Sequence, residues 1–147
     1  HNIFDDLMMA REHQADWLAG IVYRYATATL PHREVVIVGY AFKAESTICD
    51  GSPALLVKSI LSSRYKIFTF DVDYKIRVIE IIGLNHIIQG FGRAVFLIGC
   101  SHKEHTELKF PVGSIVIDPF RYILDQRGVN VVRLGENKEN TPPNGFT

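Results

Sequence analysis

Apolar residues recur at two different spacings along this chain, and the alternation between them outlines its elements. From Phe4 to Tyr25, the residues Phe4, Leu7, Met8, Ala15, Leu18, Val22 and Tyr25 follow helical spacing. Asp5 and Asp6 stand where acidic groups favour a helix N-terminus, and Pro31 closes the segment ahead of a charged turn at His32, Arg33 and Glu34. Val35 to Val38 is a β-branched run ending on Gly39, the pattern of a buried strand. A long loop over Tyr40 to Gly51 follows, and loops of that length between packed elements are usually functional. Ser52 and Pro53 then supply an N-cap and a proline at the first helical position, with Ala54, Leu55, Val57, Lys58, Ile60 and Leu61 continuing the helix. Lys66 to Val72 reads as a second strand with an acidic edge at Asp71 and Asp73, and Tyr74 to Ile82 as a helix stopped by Gly83. Ala94 to Ile98 is a third strand ending at Gly99, and Lys103 to Leu108 a short helix or turn. Ser114 to Ile117 is a fourth strand running into Asp118-Pro119, and Val129 to Leu134 a fifth. The polar remainder, with Pro142-Pro143, has too little apolar content to order itself.

Strands alternating with helices predict an α/β protein: a Rossmann-like three-layer sandwich with a mainly parallel sheet of about five or six strands, preceded by a long N-terminal helix. The corresponding division is a helix over 1–30, an α/β domain over 31–135 and a disordered tail over 136–147. Ligands of such sheets bind beyond the carboxyl ends of the strands. That edge is expected to collect Tyr40, Phe42, Lys43, Asp71, Cys100, His102, Asp118 and Arg121.

Composition narrows the function classes. The chain's 147 residues suffice for one domain with one substantial core. Sixteen basic side chains balance sixteen acidic ones, so no overall field draws in nucleic acid or an anionic membrane, although a local basic group can hold a small anion. Every apolar run is broken by charges, glycines or histidines before it could span a bilayer, and the first residues show no secretory pattern. Two cysteines, Cys49 and Cys100, make no disulfide scaffold, and a reducing cytoplasm is the expected setting. The start at His1, without an initiator methionine, has the look of a cut or tagged end.

Candidate chemistry is concentrated after the strands. The loop after Gly39 carries neither G-x-G-x-x-G nor G-x-x-x-x-G-K-[ST], so neither glycine-rich phosphate cradle is present there. It does carry Lys43, either a point charge for a diphosphate or a surface lysine lying over Phe42. Cys100, His102, Glu104 and His105 form a C-x-H-x-E-H cluster of zinc-binding residue types. Its spacing matches no standard zinc site, no second ligand pair follows, and the adjacency of Cys100 and His102 does not fix a nucleophile-base geometry. Capping of the short helix is the plainer role. His13 and Trp17, one turn apart, read as a packing pair. Arg121, just past Asp118, has the planar fork that suits a phosphate or a base edge; the alternative is an ion pair with Asp118 or Asp125.

Taken in order, these segments resemble the C-terminal domain of the UDP-glucose/GDP-mannose dehydrogenase family. That family reads strand-G-x-A-F-K, a polar loop, R-E-S-P-A and a helix; here residues 35–43 read V-V-I-V-G-Y-A-F-K and residues 50–54 D-G-S-P-A. The family's next strand ends in an aspartate, matched by Phe70-Asp71-Val72; a later apolar strand ends near a short polar loop, matched by Ala94 to His102. Its D-x-R is matched by Asp118 to Arg121, its closing G-x-x-V-x-x-I/L-G by Gly128 to Gly135, and its central-helix A-R by Ala10-Arg11. The resemblance implies NAD-dependent, two-step oxidation of a nucleotide-sugar C6 alcohol to the acid by the whole enzyme. This chain would supply the substrate-binding part, with Phe42, Lys43 and Arg121 on a nucleotide sugar, a UDP-sugar first among them. Asp50 would stand toward the cofactor in place of the family's arginine, and Gly51 in place of its glutamate; Gln14 and Ala15 replace the Asn-Asp of the central helix. The NAD-binding and catalytic-cysteine segments have no counterpart in these residues, and neither Cys49 nor Cys100 matches that cysteine's context. The chain is therefore expected to hold no catalytic residue, metal or cofactor of its own. NAD would belong to a separate N-terminal domain, and the long helix could pair two copies. The alternative is a non-catalytic nucleotide-binding or dimerisation module derived from the same family.

Overall fold

The computed structural model describes residues 3–39, 53–72, 81–99 and 103–134. The order of elements is α1 (Ile3–Thr27), β1 (Val35–Val38), α2 (Pro53–Ser63), β2 (Thr69–Val72), α3 (Ile81–Gln89), β3 (Val95–Ile98), a short 3-10 helix (Lys103–Glu107), β4 (Ile115–Asp118) and β5 (Asn130–Arg133). The expected loop over 40–51, the N-cap Ser52, the Tyr74 end of the third helix, Cys100, His102 and the tail from 135 lie outside the described residues.

The five strands form one sheet in the order β2-β1-β3-β4-β5, and every neighbouring pair is parallel. Val35 is level with Thr69 on one side and Val95 on the other, Val95 with Ile115, and Ile115 with Asn130, so the strands start together. Successive side chains of a strand point to opposite faces, and both faces here are covered. Val35, Ile37, Val95, Leu97, Ile117 and Val132 turn toward α1 and α2. Val36, Val38, Phe96, Ile98 and Val116 turn toward Leu84 and Ile88 of α3, together with Leu108, Phe110 and Ile123 from the connections around β4. The result is the expected α/β sandwich with a parallel sheet between two layers.

Helix α1 buries Ala15, Leu18, Ala19, Val22 and Ala26, residues spaced three, four and seven apart that make a continuous stripe. Trp17 packs half-buried against that layer, and His13, one turn before it, is exposed. Of the expected long N-terminal helix, 13–27 is the stretch whose packing on the domain is described; the side chains of Phe4, Leu7, Met8, Ala10 and Arg11 lie outside the described residues. After α1 the chain passes a cis Leu30-Pro31 bond into β1.

Several boundaries differ from the pattern-based expectation; β3 starts one residue later, at Val95, and β5 is shorter by one residue at each end. Gly83 does not stop a helix: it lies inside α3, which continues to Gln89 because Leu84 and Ile88, four apart, bury one face on the sheet. The second strand begins at Thr69 rather than Lys66. Lys66 is in the left-handed region at φ 59° and the Ile67 N–H still donates to the Leu61 carbonyl at 2.8 Å, so this stretch caps α2 before the chain enters the ladder. The fourth strand starts one residue later, at Ile115, and takes in Asp118. No described helix is long and apolar enough to cross a membrane.

Among the described residues Phe96 is the largest fully buried side chain, with Phe91 and Phe110 ring centroids at 6.3 and 5.1 Å, both edge-on. Replacing it with alanine removes those contacts and leaves a cavity, so Phe96→Ala is expected to destabilise by about 4 kcal/mol in denaturant unfolding. Ile82→Ala, at a helix position 79% exposed, should stay within about 0.5 kcal/mol.

Candidate functional site

In a sheet of this order the chain leaves β1 toward one side and β3 toward the other, which makes the gap between their carboxyl ends the switch point where ligands bind. The two exits begin at glycines. The Gly39 N–H donates to the Val72 carbonyl at 2.7 Å and the Gly99 N–H to the Val38 carbonyl at 2.9 Å, so the ladder runs one residue past the strands on each. Gly39 has φ 72°, a left-handed conformation that lets the chain turn out of the sheet at a buried position. Of the residues expected at this edge, Tyr40, Phe42, Lys43, Cys100 and His102 lie outside the described residues, as does Asp50. Asp71, Asp118 and Arg121 are described.

Asp71, at the end of the outer strand β2, is ion-paired with Lys58 of α2. Arg64, at the end of that helix, pairs instead with Asp16 of α1 at 3.0 Å. Both of these basic side chains therefore already face a carboxylate.

Asp118 is fully buried at the end of β4. Its Oδ1 accepts the N–H groups of Phe120 (3.1 Å) and Arg121 (2.9 Å), and its Oδ2 accepts that of Ile123 (2.8 Å). The carboxylate thus organises the loop after β4, since three backbone donors turn inward to meet it. Burial pushes the Asp118 carboxyl above the usual aspartate value; the three N–H donors and the charge of Arg133 oppose that shift without overcoming it.

Arg121 sits in this loop at φ 65°, a left-handed conformation costly for a residue with a Cβ. Two attachments hold it there: its N–H on Asp118, and its Nε and Nη2 donating to the Leu134 carbonyl at 3.3 and 3.0 Å. The side chain therefore pairs with neither Asp118 nor Asp125. Asp125 is taken by Arg133 of β5 (2.7 Å), whose Nε and Nη2 also donate to the Ile123 carbonyl at 3.1 and 2.8 Å. Two arginines thus lace the β4 loop to β5, and the Arg121 side chain is exposed. Arg133 escapes a sequence reading, because a basic residue in an edge strand carries no signal of what its fork will reach.

His105, from the proposed cluster, is fully buried in the 3-10 helix, and its carbonyl accepts the Leu108 N–H at 3.1 Å. Among the described residues no three His, Cys, Asp or Glu side chains come together as a metal would require. Comparison of the chain with family models, with curated proteins and with solved structures finds no match.

Asp118→Ala leaves three backbone donors without their acceptor, one of them at buried Ile123, and is expected to cost at least about 2 kcal/mol of stability. The pH dependence has a definite sign. Because the folded-state value is raised, the folded chain binds the proton more tightly than the unfolded chain, so this group's contribution is most favourable below 3.8 and falls as pH rises through the raised value. Asp118→Asn lacks that titration. The stability of wild type relative to Asp118→Asn should therefore decline from acid to neutral pH in paired denaturant titrations.

Proposed function

We propose that this chain is the nucleotide-sugar-binding domain of an NAD-dependent dehydrogenase of the UDP-glucose type, holding a UDP-sugar beyond the carboxyl ends of β1 and β3. One observation carries the reading. The switch point of a parallel, doubly wound sheet falls at the strand whose continuation in sequence is Ala41-Phe42-Lys43, the segment that resembles the family's substrate loop. A lysine there supplies a point charge for the diphosphate, Phe42 an apolar wall, and Arg121 near the start of the loop after β4 a second cation. In this reading the domain binds and orients the substrate and closes one wall of the active site. NAD, the cysteine that forms the covalent intermediate, and the oxidation itself belong to a partner domain. The setting is cytoplasmic, where nucleotide sugars are made and used, and two copies pair through the N-terminal helix.

The charge at Asp50 favours a second reading. An aspartate where the family has arginine reverses the sign of the group nearest the cofactor, which suits a nucleotide-binding module no longer engaged in dehydrogenation. The encoding reading frame separates the two: an upstream strand-turn-helix with G-x-G-x-x-G and a cysteine segment belongs only to the first.

Calorimetry with UDP-glucose should give a saturable isotherm that Lys43→Ala weakens by roughly tenfold, the worth of one charge-assisted contact. Identical isotherms for the two proteins would remove Lys43 from the site. The isolated chain mixed with NAD and UDP-glucose should produce no NADH absorbance, because the residues matching the family's dinucleotide fingerprint and cysteine are not among its 147.

A further inference from the structure

At the opposite, amino-terminal edge of the sheet lies a cleft of about 310 Å³ between the turn of Thr29 to Glu34 and Arg93. Arg33 is anchored in it at both ends. Its backbone N–H donates to the Ala26 carbonyl at 2.8 Å, and its Nη1 donates to the Gly113 carbonyl at 2.7 Å. The side chain of Arg93, just ahead of β3, lies against the same glycine. A Cβ on Gly113 would stand 2.8 Å from Arg93 Nε and 3.1 Å from both Cδ and Cγ. Gly113 also has φ +91°, so neither the backbone nor the space admits another residue without a shift.

Two guanidinium groups therefore converge on one bare turn. Among the described residues the carboxylates that make ion pairs, Asp71, Asp16 and Asp125, all serve other cations. Burial, and after it the charge of Arg93, pushes Arg33 below the usual arginine value. Glu34 also lines the cleft and offsets one of the two positive charges. Like charges held together in a concave site favour an anion that bridges them, and planar forks match the oxygens of a phosphate.

We propose that this cleft is a second ligand site, which takes the phosphate group of a small phosphate monoester between Arg33 and Arg93, with Leu30 and Pro31 as its apolar wall. It is separate from the nucleotide-sugar reading, which concerns the other edge of the sheet, and stands or falls independently of it.

The test is a titration of isotopically labelled protein with inorganic phosphate, chloride holding the ionic strength constant, read residue by residue by nuclear magnetic resonance. The Gly113 amide and the Arg33 and Arg93 Nε–H signals should shift together and saturate. Gly39 and Gly99 report separately on the carboxyl edge. Arg93 is exposed and has no hydrogen bond among the described residues, so Arg93→Gln should keep the wild-type thermal midpoint while weakening the Gly113 isotherm roughly tenfold. Arg33→Lys, which keeps the charge and loses the fork, should weaken it less. The proposal is overturned by shifts that do not saturate, by an Arg93→Gln isotherm equal to wild type, or by acetate binding at Gly113 as tightly as phosphate, which would make the cleft a carboxylate site.

Discussion

Burial of the central strands on both faces is the constraint from which the rest of the structure follows. Val35 to Val38 and Val95 to Ile98 are each covered from both sides, with alternate residues facing α1 and α2 or facing α3. A strand in that position has no face for a polar side chain, so its sequence must be apolar throughout. Two consequences are visible. The sheet needs a layer on each side, and α1, arriving before the first strand, covers the layer that also takes in Ile117, Val132 and Leu134. Chemistry is also driven to the strand ends, the first places where a backbone or side-chain polar group can meet a partner or water.

The two ends solve that problem differently. At the carboxyl edge the buried charge of Asp118 is met by three backbone donors, and the arginines of the β4 loop and β5 terminate on carbonyls, so the rim is a connected polar network. An ionised carboxylate in that position would be unfavourable without its donors; with them it sets the path of the loop and holds Arg121 in a left-handed conformation. At the amino edge the positive charge of Arg33 and Arg93 is less fully compensated, and the turn at Gly113 leaves it room. The described polar groups of the carboxyl edge are thus tied to one another, whereas at the amino edge two guanidinium groups share one turn.

Much of the architecture was legible from periodicity alone. The strands, the apolar stripe of α1 and the first turn of α2 at Pro53 depend on local side-chain spacing, which a chain displays whatever it packs against. Gly83 misled because a glycine is a stop signal only where packing permits one, and Leu84 with Ile88 made continuation of the helix the better packed choice. Lys66 misled because the end of α2 borrowed residues whose β-like pattern pointed to a strand.

The candidate site was legible only as a set of residue types at the right edge. Arg121 could be named from its place after Asp118, but its attachment to Leu134, the exchange of Asp125 to Arg133, and the meeting of Arg33 with Arg93 over Gly113 join residues distant in the chain. What the sequence by itself determined was the alternation of elements and the apolar strands, because those are properties of neighbouring residues. The order of the strands, the direction of each guanidinium and the charge state favoured at Asp118 were decided only by the tertiary structure. Each depends on which distant groups burial brings within hydrogen-bonding range and how much water it removes.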